Sequence, residues 1–184
     1  MSDRPPKLRW APRAALVAVL LAPLADCGPA RNQFAPPCPG QAIVGDAADF
    51  DVHRATGTRD LTDLVLHARI VGMQGSCREG DTKKQLAVTV SLAIELTRGP
   101  AMPGREADVP VFIAVTERDT ILDKRAYLMH VVFPSNVDRI TMSPGDVNLL
   151  LPVTAAKSGA AYTILAGFQL TLDQMQQTHH GTGS

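Results

Sequence analysis

Five histidines and three cysteines, with scattered serines and carboxylates, are the residues of this chain that could carry chemistry. The histidines are His53, His67, His130, His179 and His180. A structural or catalytic zinc needs Cys and His in close pairs at fixed spacing. No CxxC or paired Cys/His spacing occurs here. His179 and His180 are adjacent, so a helix would point them to different sides. His67 and His130 fall on different predicted strands, out of phase with the apolar set, and read as solvated sheet positions. Nucleophilic chemistry fares no better. Ser76, Ser91, Ser135, Ser143 and Ser158 lie outside any G-x-S-x-G elbow. Asp60 with Asp63, and Glu117 with Asp119, place carboxylates at turns, where such groups cap backbone donors. The glycines of "GMQGSCREGD" lack the Lys-Ser/Thr of a phosphate-binding loop. That stretch reads as a hairpin turn ended by Cys77. The expectation is no catalytic residue, no cofactor and no metal ligand.

The remaining chemistry is covalent and sits in the cysteines. Ahead of Cys27 run Arg4, Lys7, Arg9 and Arg13, then an apolar stretch from Ala14 to Ala25. A basic start and a short apolar run form the pattern of a secretory signal. At 12 residues the run reaches about 18 Å as a helix, short of the roughly 30 Å hydrocarbon core. "Leu24-Ala25-Asp26-Cys27" resembles the lipobox of bacterial lipoproteins, with Asp26 standing where that pattern carries a small residue. The resemblance implies lipidation of Cys27 as the new N-terminus. Two other readings stay open: ordinary cleavage near "Gly28-Pro29-Ala30", and an uncleaved anchor.

An odd cysteine count in an exported protein leaves one thiol to explain. With Cys27 acylated, Cys38 and Cys77 are free to pair in an oxidising compartment. Such a bridge closes a loop of about 39 residues, which loop-closure entropy values at about 4 kcal/mol. The alternative is two unpaired thiols.

The elements that would position these residues follow from hydrophobic rhythm. In "LAVTVSLAIELT", Val88, Val90, Leu92, Ile94 and Leu96 alternate with small or polar residues. A period of two buries one face of a strand. Leu64 to Ile70, Val109 to Val115, Tyr127 to Phe133 and Tyr162 to Phe168 repeat the pattern. "RITM" and "VNLLLPV" flank "SPGD", a strong turn. About seven strands at short spacing predict an all-β, antiparallel two-sheet sandwich of immunoglobulin or fibronectin-III kind, with a small closed barrel as the second choice. Thr171 followed by Gln174 forms a capping-box pattern and predicts a short C-terminal helix. The predicted organisation is a signal peptide over 1–26, a Pro-rich tether over 27–41, a loop or short helical segment over 42–63, and the β domain over 64–184. "RGPAMPGREAD", from Arg98 to Asp108, reads as a sheet-to-sheet crossover.

The whole chain holds 18 Lys+Arg against 18 Asp+Glu. Near-neutral charge without a basic stripe argues against nucleic-acid binding. Trp10, the only Trp, lies in the leader, so five Phe and two Tyr are the aromatics left for a base- or sugar-stacking surface. Basic start, apolar run, Cys, Pro-rich tether and compact β domain together resemble the small uncharacterised lipoproteins of the Gram-negative envelope. The resemblance implies a cell-envelope, periplasm-facing protein held to the membrane by lipid on Cys27. With Gly28 after the Cys, the resemblance further implies outer-membrane sorting; plain secretion to the periplasm is the other reading. The functional expectation is a non-catalytic module that binds an envelope protein or supports assembly. A loop-built hydrolase and a periplasmic enzyme inhibitor are the alternatives.

Overall fold

The computed structural model describes residues 37–55 and 60–175. The leader, Cys27, His179 and His180 lie outside the described residues. The fold is a sandwich of two sheets. One sheet runs in the order β1 (Gly40–Ile43), β9 (Tyr162–Phe168), β5 (Glu106–Glu117), β6 (Thr120–Val132). The other runs β2 (Asp49–His53), β3 (Leu64–Glu79), β4 (Gln85–Arg98). Beyond β4, β7 (Arg139–Met142) and β8 (Val147–Pro152) share its free side end to end. All strand pairs are antiparallel except β1 with β9, which is parallel.

The period-two rhythm sets the core. Leu86, Val88, Val90, Leu92, Ile94 and Leu96 of β4 are buried and face Val109, Val111, Ile113 and Val115 of β5 within one cluster. Each such side chain contributes about 1.5–3 kcal/mol on full burial. Phe168 and Phe50 bring their rings to 5.6 Å across the sheets. The all-β two-sheet sandwich therefore stands as expected.

The described residues hold nine strands rather than about seven. The added pair is β1 and β2. Both fall before Leu64, where a tether over 27–41 and a loop or short helical segment over 42–63 were expected. β1 takes the last two tether residues, Gly40 and Gln41. It is too short and too exposed to show a rhythm, and its ladder comes from β9. β2 is made of Asp49, Phe50, Asp51, Val52 and His53, whose polar members face solvent while Phe50 is buried. Among the described residues of this region, helical character is confined to 3-10 turns at Gly45–Ala47 and Leu61–Asp63.

The glycine-rich stretch around Cys77 is also strand, not turn. Pairing with β4 from Gly72↔Ala93 to Glu79↔Leu86 carries β3 through it. The turn comes later, between Glu79 and Gln85. After β9, Leu172 opens a helical turn. The Thr171 amide donates to Gln174 Oε1 at 2.9 Å, and the Gln174 amide donates to Thr171 Oγ1 at 3.3 Å. This is the reciprocal capping box that the sequence pattern implies.

The crossover from β4 to β5 is closed and packed. Ala101 and Met102 are buried in it. The Arg98 guanidinium donates to the Gly104 and Met102 carbonyls. That of Arg105 reaches across to the Phe133, Pro134 and Val137 carbonyls.

Candidate functional site: an open sheet edge

Several of the described residues able to do chemistry are held in structural pairs. His67 Nδ1 lies 2.6 Å from Asp51 Oδ1, and His130 Nδ1 lies 2.8 Å from Asp108 Oδ1. Both are cross-strand neighbours on outer faces, one on each sheet. Asp49 accepts from the Arg69 guanidinium at 2.6 and 3.1 Å, and that hydrogen bond pushes the Arg69 pKa up. Asp60 Oδ1 accepts from the Thr62 amide at 2.6 Å, the turn-capping role expected of it. Glu117 accepts from Lys157 Nζ at 2.6 Å, which raises the Lys157 pKa, and the ammonium lies over the Tyr162 ring at 4.5 Å. Ser91 donates to Asp146, not to a histidine. No group of three His, Cys, Asp or Glu among the described residues could hold a metal ion.

Cys38 and Cys77 come together at disulfide distance, with their Cα atoms 5.7 Å apart. Cys38 precedes β1 in one sheet and Cys77 lies in β3 of the other, so the link joins the two sheets at one side of the sandwich.

Among the described residues the opposite side is open. β6 is a 13-residue edge strand paired only with β5 among the described residues. Its unpaired N–H and C=O groups form a template for another strand. On its outer face Leu128 is 68% and Val132 53% exposed. Across from it, β8 edges the other sheet with Leu150 exposed between buried Leu149 and Leu151. Between the two edges lies a slot of about 180 Å³ lined by Val115, Leu122, Leu149, Leu151 and Tyr162. Tyr162 is fixed there by donating its hydroxyl to the Pro152 carbonyl.

The two halves of β6 differ. Arg125 is in register with Ile113 and Asp123 with Val115, both core positions. These two charges therefore occupy the inward phase of the strand, and they pair with each other at 3.0 Å at the slot mouth. Lys124, on the outer phase, covers the Phe112 ring at 4.3 Å. Inward-pointing charges on an edge are a known obstacle to edge-to-edge pairing. The half from Leu128 to Val132 carries only His130, already paired with Asp108.

Sequence alone could not choose this edge, because strand order within a sheet is set by tertiary pairing. The local signal was the "DKR" run interrupting an apolar alternation. No family model, curated protein or solved structure matches the chain.

Proposed function

We propose that this chain is an exported envelope protein, lipid-anchored at Cys27, whose sandwich is a non-catalytic module that holds a protein partner by strand addition along β6. The observation that carries the anchoring is the proximity of Cys38 to Cys77. A pair formed between these two leaves Cys27 as the odd cysteine, in the lipobox-like position. A formed disulfide also fits an oxidising space beyond the inner membrane.

The binding surface is the Leu128–Val132 half of β6. Strand addition draws affinity from main-chain hydrogen bonds and specificity from alternate side chains. Leu128 and Val132 offer apolar contact on the outer face, and the Asp123–Arg125 pair limits how far an added strand can run. The geometry gives a hydrolase less support. His67 and His130 sit on different sheets, each hydrogen-bonded to a carboxylate, Asp51 and Asp108, rather than to a serine.

A photo-crosslinking residue at Leu128, introduced into the full chain in cells, tests the partner reading. The expected result is one discrete protein adduct from position 128 and none from position 95, on the outer face of the other sheet. Equal adducts from both positions, or none from 128, would reject β6 as the binding edge.

A further inference from the structure

The segment from Pro37 to Val44 lies as a strap along the exposed side of β9. We infer that this strap is a latch, held closed by the Cys38–Cys77 bond and released by a dithiol reductant to leave β9 as a second open edge. The inference does not depend on acylation of Cys27 or on binding at β6.

Besides the bond, the strap is held by buried Pro39, by Ile43 against the core and by a short ladder to β9. β1 has four residues, three exposed, and only half-buried Ile43 packs against the core. Its pairing with β9, Gly40↔Thr163 to Ile43↔Ala166, is parallel, the weaker arrangement per residue. The Val44 amide adds one bond to the Ala166 carbonyl at 2.9 Å. The domain leaves room for the strap at two glycines. A Cβ on Gly159 would overlap the Pro37 carbonyl, and a Cβ on Gly75 would overlap the Gln41 amide. Cys38 is exposed and so open to attack by an external thiolate.

The chemistry is thiol–disulfide exchange. One thiolate of the dithiol attacks a sulfur of the pair and forms a mixed disulfide. Its second thiol resolves this, giving a cyclic disulfide and two protein thiols. The dithiol is oxidised and the protein reduced, two electrons each. Unfastened, eight ordered residues regain chain freedom, opposed by the burial of Pro39 and the partial burial of Ile43 and Val44. The rest of the sandwich keeps its core, since β9 remains paired with β5.

Hydrogen exchange on the full chain, oxidised or treated with dithiothreitol and alkylated, tests this. The expected result is at least ten-fold faster exchange of residues 40–44, with the Leu86–Leu96 peptide still protected after the strap has exchanged. Cys38→Ser/Cys77→Ser should show the same local pattern without reductant. Unchanged protection of the strap overturns the latch. So does exchange of the whole domain together, or failure of the double variant to fold, because either makes the bond a global staple.

Discussion

The Cys38→Ser/Cys77→Ser chain is expected to unfold at about 4 kcal/mol lower stability than the oxidised protein. The two cysteines are 39 positions apart. Opening a loop of that size returns conformational entropy to the unfolded ensemble, and chain-entropy reasoning gives about 4 kcal/mol. With a urea m-value of roughly 2 kcal/mol per molar, the midpoint should fall by about 2 M. The m-value itself should rise slightly, because the unfolded chain becomes less compact. Dithiothreitol should shift the oxidised wild type by the same amount and leave the double variant where it is. A loss below about 1 kcal/mol would mean that the pair is not bonded in the native protein. Latch release and this loss concern different equilibria. The first is local opening of residues 37–44; the second is global unfolding.

Phe168→Ala should cost about 3–5 kcal/mol, the range for truncating a buried aromatic. Phe168 is 1% exposed and belongs to β9 of one sheet. Its ring meets Phe50 of β2 in the other sheet at 5.6 Å, so truncation opens a cavity at a contact that joins the layers. In a domain of this size the melting temperature should drop by roughly 10 °C. Phe168→Leu keeps most of the volume and should lose much less. Calorimetry on the two variants checks the ordering. Equal, small losses from both would place Phe168 outside the core.

These elements show what a linear reading can and cannot resolve. β4 was legible because six alternating apolar residues leave no helical face, and the structure buries Leu86 to Leu96 in that alternation. The capping box at Thr171 and Gln174 was legible because its two bonds are local. β1 was not: Gly40 to Ile43 are mostly exposed, and their ladder partner lies in β9, at the far end of the chain. β2 carries a readable alternation around Phe50 and Val52, masked by Asp49, Asp51 and His53, which are poor strand formers until Arg69 and His67 of β3 face them. The glycines near Cys77 signal a turn locally, yet β4 extends far enough to pair them.

The candidate site shows the same limit. Exposed Leu128 and Val132 look like any alternating strand residues in sequence. They become an edge only because β9 and β6 take the two sides of β5 and no further described strand follows β6. Asp123 and Arg125 continue the inward phase of Tyr127, Met129 and Val131, and the register becomes irregular only beyond them, between Val115 and Thr116. No periodicity argument locates that irregularity.

Intact mass of the chain extracted from cell membranes bears most directly on the anchored-module reading. The account predicts a chain beginning at Cys27, heavier by a lipid adduct on that residue, and lighter by two hydrogens for a Cys38–Cys77 bond. An unlipidated chain starting elsewhere, with membrane association unaltered by Cys27→Ser, would contradict it.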